Sequence, residues 1–66
     1  MSTNSPLMVV RAKLREKMND TADSIVGGSC KNFDEYRNLC GVIHGLALAE
    51  RELLDLQSAM EQQDND

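Results

Sequence analysis

Cys40 and His44 stand four residues apart, a spacing that sets two metal-ligating side chains on neighbouring faces of one helical turn. Two donors are too few for a tetrahedral site. Cys30 adds a third only if the segment between folds back, and the chain has one histidine and no CxxC pair, so neither a metal nor any other cofactor is expected. A Cys30 to Cys40 disulfide is not expected either, because Cys40 on a helix lies two turns beyond the segment that carries Cys30. No serine or cysteine sits in a recognisable nucleophile setting, and no glycine-rich loop is present to cradle a phosphate. The chain therefore reads as a non-enzyme.

The second cluster is electrostatic. Arg11 with Arg15, and Lys13 with Lys17, are like-charge pairs at the four-residue spacing, and such pairs weaken a helix by a few tenths of a kcal/mol. They form either a partner-facing basic face or a solvated face answered by carboxylates, for which Glu50, Glu52 and Asp55 are available. The formal net charge of −4 argues against a general binder of nucleic acid or of acidic membranes. Its distribution is uneven, since residues 27–66 hold three basic and eight acidic groups. An acidic half can be steered toward a basic one.

Gly41 and Gly45 form a third pattern, with Ala49 four residues further on. Each glycine inside a helix costs ~1 kcal/mol relative to alanine, so two of them predict a close helix contact where a side chain would not fit.

The elements that must carry these residues are two helices. Ser5 followed by Pro6 is a start signal, Leu7, Val10, Leu14, Met18, Ala22 and Ile25 recur on one face, and Gly27 with Gly28 ends the run. Asn32 with Glu35 three residues on, and Asp34 between, marks a second start. The spacing predicts helices over about 6–26 and 33–61, forming an all-α, antiparallel two-helix hairpin as one domain of 1–66, with 1–4 and 62–66 as flexible termini. Nothing at the start reads as a signal peptide, and no apolar stretch approaches the roughly 20 residues of a membrane span.

The second helix carries an apolar heptad seam. Leu39, Leu46, Leu53 and Met60 recur every seven residues, with Val42, Ala49 and Leu56 three places after the first three. A helix over 33–61 outruns one over 6–26 by about 12 Å, which leaves Leu56 and Met60 beyond the cover of the first. A chain this short buries only ~60% of its unfolded surface and lacks disulfide or metal support, so self-association into a helical bundle is expected.

The stretch Phe33 to Leu56, with its acidic helix start, Tyr36, Arg37, Gly41, Gly45, Leu46, Ala49, Glu50, Leu53, Leu54 and Asp55, resembles small uncharacterised helical proteins of tailed bacteriophages, often encoded near virion structural genes. The resemblance implies no catalytic residues. It implies a phage protein with a protein–protein role, and the uncovered seam makes the leading expectation a structural or assembly protein that associates through its helices with itself, as a dimer or larger species, or with a phage capsid, portal or tail component. The implied location is the host cytoplasm or the virion. The alternative is a small phage effector that binds and inhibits a host protein through Arg11, Lys13, Arg15 and Lys17.

Overall fold

The computed structural model describes the backbone of residues 6–65 and the side chains of residues 6–63. It contains two helices, α1 (Pro6–Val26) and α2 (Phe33–Asn65), packed against each other as a hairpin, with no strand among the described residues. The expected cap at Ser5 lies outside the described residues.

The turn between the helices is built by backbone chemistry that its sequence permits. The Ser29 amide donates to the Ser24 carbonyl at 3.1 Å and the Gly28 amide donates to the Ile25 carbonyl at 3.2 Å, which is the paired closure of a Schellman motif. Gly28 carries the left-handed residue of that motif, at φ 85°. The Ser29 hydroxyl adds a bond to the same Ser24 carbonyl at 2.7 Å. Two acceptors left over by the end of α1 are thus satisfied within the turn.

Asn32 then starts α2 by accepting the Glu35 amide on its side-chain oxygen at 2.8 Å. Glu35 reaches back as the capping signal predicts, but its carboxylate accepts the Lys31 amide at 2.9 Å, one residue earlier than the Asn32 amide of an ordinary capping box. Phe33 and Tyr36 stack beside this cap with ring centroids 6.0 Å apart, and the Arg37 guanidinium stands 6.0 Å from the Phe33 centroid.

The second helix runs to Asn65, four residues past its expected end. Glu61, Gln62 and Gln63 are good helix formers, and neither glycine nor proline stops the chain there. With 33 residues against 21, α2 exceeds α1 by about 18 Å. The molecule is a rod of 52 × 18 × 12 Å whose length is that of α2.

Across the hairpin, α1 offers Leu7, Met8, Arg11, Leu14, Met18, Thr21, Ala22 and Ile25, all half-buried. The facing residues of α2 are Leu39, Cys40, Ile43, Leu46, Ala47, Glu50, Leu53, Leu54 and Gln57. Both helices depart from expectation in the same way. Leu7 to Leu14, and Leu39 to Leu46 to Leu53, are shared, but the row between them is the one four residues on (Arg11; Ile43, Glu50, Gln57) rather than three (Val10; Val42, Ala49, Leu56). Val10, Val42, Ala49 and Leu56 are exposed instead. The reason is chemical: turning both helices this way brings Arg11 against Glu50 and lets Ile43, Ala47 and Leu54 fill the groove beside them.

Among the described residues no hydrophobic side chain is buried, and the one buried residue is Glu50, at 7% exposure. A two-helix layer has too few neighbours on any side to enclose a leucine completely.

Candidate association surface

The best-defined polar site of the hairpin joins its two helices. Arg11 Nε and Arg15 Nε both donate to one oxygen of Glu50, Oε2, at 3.1 and 2.6 Å. Arg11 and Arg15 lie one turn apart on α1, so a single carboxylate between them cancels the like-charge repulsion that the sequence alone presents. The Glu50 carboxyl is held below the usual glutamate range, chiefly by the hydrogen bond from Arg15 and then by that from Arg11, with burial opposing them.

This clamp fixes the register of the hairpin. With Arg11 and Arg15 on either side of Glu50, Leu7 falls near Leu56 and Pro6 near Gln57, so among the described residues α1 offers nothing alongside α2 beyond about that level. It also divides the basic cluster. Arg11 and Arg15 answer Glu50, whereas Lys13 and Lys17 are exposed, and Glu52 and Asp55 are exposed on α2.

The clamp makes the hairpin acid-sensitive in a definite direction. A carboxylate whose folded pKa is depressed stabilises the fold above its unfolded value of about 4.3, and that contribution is lost as pH falls through the lower folded value. Thermal melts followed by circular dichroism should show the native chain losing stability below about pH 4.3. Glu50→Gln should start less stable at neutral pH and lose less on acidification, whereas equal acid losses in the two proteins would show that the clamp contributes nothing.

Of the seam residues read from the heptads, Leu39, Leu46 and Leu53 are half-buried at the edge of the hairpin interface. Val42, Ala49, Leu56 and Met60 point away from α1, with Leu56 at 50% and Met60 at 48% exposure. These four recur at steps of seven and four, so they share one side of α2. The seam expected to run along one partner is thus split. Its first row borders α1, and its second is an uncovered apolar stripe.

Gly41 and Gly45 do not approach α1. A methyl group added at either would meet no atom within 4 Å. The close contact that the glycines predict is therefore not made inside the hairpin, and Gly45 lies between Val42 and Ala49 on the exposed stripe.

The other flank of α2 holds a shallow open groove lined by His44, Ala47, Leu48, Glu50, Arg51, Leu54 and Asp55. Near the turn, Cys30 and Cys40 are free thiols, both half-buried. Tyr36, one turn before Cys40, has its hydroxyl pKa raised chiefly by a hydrogen bond with that thiol. Among the described residues no three His, Cys, Asp or Glu side chains are grouped to hold a metal ion. No helix among them is long and apolar enough to cross a membrane.

Glu50 is among the carboxylates that the sequence offers to the basic cluster, but sequence reasoning missed its place in the interface row Ile43, Glu50 and Gln57, and the flanking Cys40, Ala47 and Leu54. The second set repeats every seven residues and was visible. Glu50 and Gln57 masked the first, since a polar residue is not counted into an apolar face unless its partner is known.

The chain matches no known protein-family model, no curated protein and no solved structure.

Proposed function

We propose that this chain is a non-enzymatic structural or assembly protein of a tailed bacteriophage that acts by helix-mediated association and is incorporated in the virion, at the capsid, portal or tail. The observation that carries the associating role is the exposed stripe Val42, Ala49, Leu56 and Met60 on a hairpin in which no described hydrophobic side chain is buried. Apolar surface of this kind on so small a molecule marks a protein–protein contact, because burying it supplies the stability that a two-helix layer lacks. The phage assignment rests on the resemblance of Phe33 to Leu56.

The test is a mass-spectrometric inventory of purified particles of the phage that encodes the chain. Presence at a defined copy number per particle supports the virion role. Absence from particles, with a host protein recovered on the chain from infected cells, replaces it with the effector reading. That second reading loses support in the fold, since Glu50 already engages two of its four basic residues.

A further inference from the structure

We propose that the exposed stripe of α2 is the seat of a second copy of this chain, packed antiparallel about a two-fold axis that crosses α2 near Arg51. The proposal deepens the association reading and rests on it.

The stripe is graded in size along its length. Its exposed residues are Val42, Gly45 and Ala49 in the first half and Leu56 and Met60 in the second, with one half-buried leucine, Leu46 or Leu53, bordering each half. A parallel copy would set small residues on small and large on large, leaving a void at one end and crowding at the other. An antiparallel copy matches each half with its complement. About an axis near Arg51, Ala49 faces Leu53 of the second copy, Leu46 with its neighbour Gly45 faces Leu56, and Val42 faces Met60. The open space at Gly45 then becomes the hole into which a leucine fits, as coiled-coil packing requires.

Three further features agree. The broad face of the rod measures 52 × 18 Å at its widest, the scale of the roughly 800 Å² per partner in a standard stable interface. The axis near Arg51 also overlaps α2 with its copy over residues 37–65, so the length that α1 leaves uncovered lies along the turn-proximal half of the second hairpin. Charge follows the same geometry. Lys17, exposed on the side of α1 that carries Val10, comes to the level of Leu56 of the second copy, between one and two turns from Glu61 on the same helix. The result is a four-helix bundle with an isologous interface.

Pulsed electron–electron distance measurements test the arrangement. Spin labels are placed singly at Asp34→Cys or Glu52→Cys in a Cys30→Ser, Cys40→Ser chain whose sedimentation matches that of the native protein. The antiparallel bundle predicts about 50 Å between labels at 34 and under about 25 Å at 52. Short distances at both positions in a dimer would overturn the antiparallel arrangement and leave the association reading standing. A chain that sediments as a monomer and gives no coupling at either position would overturn the second copy itself, while the particle inventory still decides whether the stripe serves another protein. If the cysteine replacements disturb folding, zero-length carbodiimide coupling of a mixture of ¹⁴N and ¹⁵N native chains asks the same question. Mixed-isotope links between Lys17 and Glu61 support the proposal, and their absence in a dimer overturns it.

Discussion

Leu56→Asp is expected to convert the assembled protein to a monomer at concentrations where the native chain is fully associated. Leu56 is half exposed in the hairpin and points away from α1, so the change costs the isolated protomer little. Its cost falls on assembly. Burying the exposed half of a leucine contributes roughly 0.75–1.5 kcal/mol, and a two-fold interface loses that contribution twice, about 1.5–3 kcal/mol in all, before the penalty of burying a charge is counted. Such a loss weakens association by at least ~10–10²-fold. Equilibrium sedimentation of the variant beside the native chain reads the effect directly. Leu48→Asp, at a similarly exposed leucine roughly a quarter-turn round α2 from the middle of the stripe, should leave the dissociation constant within a few-fold of the native value. Equal effects from both variants would mean that exposed apolar area in general, and not this stripe, holds the copies together.

The second large effect is expected at Gly45, where folding and assembly should move in opposite directions. Neither Gly41 nor Gly45 meets any atom where a Cβ would be added, so in an isolated hairpin alanine at either position should raise helix stability by ~1 kcal/mol. A second copy reverses that at Gly45 alone. Overpacking a fitted contact costs ~1–3 kcal/mol at each site and falls on assembly, whereas the ~1 kcal/mol propensity gain of each chain falls on folding. Gly45→Ala should therefore weaken association while Gly41→Ala, nearer the stripe's edge, strengthens the helix and leaves association intact. Gly45→Leu should abolish dimers outright. Concentration-dependent thermal melts separate the two contributions, because only assembly makes the midpoint depend on protein concentration. If Gly45→Ala melts higher than the native chain at every concentration, the glycine lies on a free surface and the close-contact idea is wrong.

Much of this architecture is legible in the sequence because its signals are local. Pro6, the Gly27 and Gly28 pair, and Asn32 with Glu35 mark helix ends through backbone chemistry that needs no tertiary partner, and the structure places the helix boundaries there. The end of α2 was less legible, since a polar segment without glycine or proline carries no stop signal and its helix continues to Asn65.

Facial assignment was the harder problem, for a reason visible at Glu50. Heptad counting ranks Val42, Ala49 and Leu56 above Ile43, Glu50 and Gln57 because the second row is largely polar. The interface nonetheless takes the second row, since Arg11 and Arg15 on the other helix neutralise Glu50 as it is buried. That pairing joins positions 35 and 39 residues apart, which no local pattern reveals. Once it is made, the apolar row displaced from the hairpin becomes available for a partner, and the two glycines turn from an expected contact within the fold into an expected socket between copies.

In the proposed arrangement the hairpin completes its apolar packing through its own second copy. Sedimentation equilibrium of the unmodified chain across nanomolar to high micromolar concentration tests it most directly, with a thermal melt at each concentration. A reversible monomer–dimer equilibrium, with a melting midpoint that rises with concentration, is the predicted result. A chain that remains monomeric throughout and unfolds cooperatively at one concentration-independent temperature would contradict it.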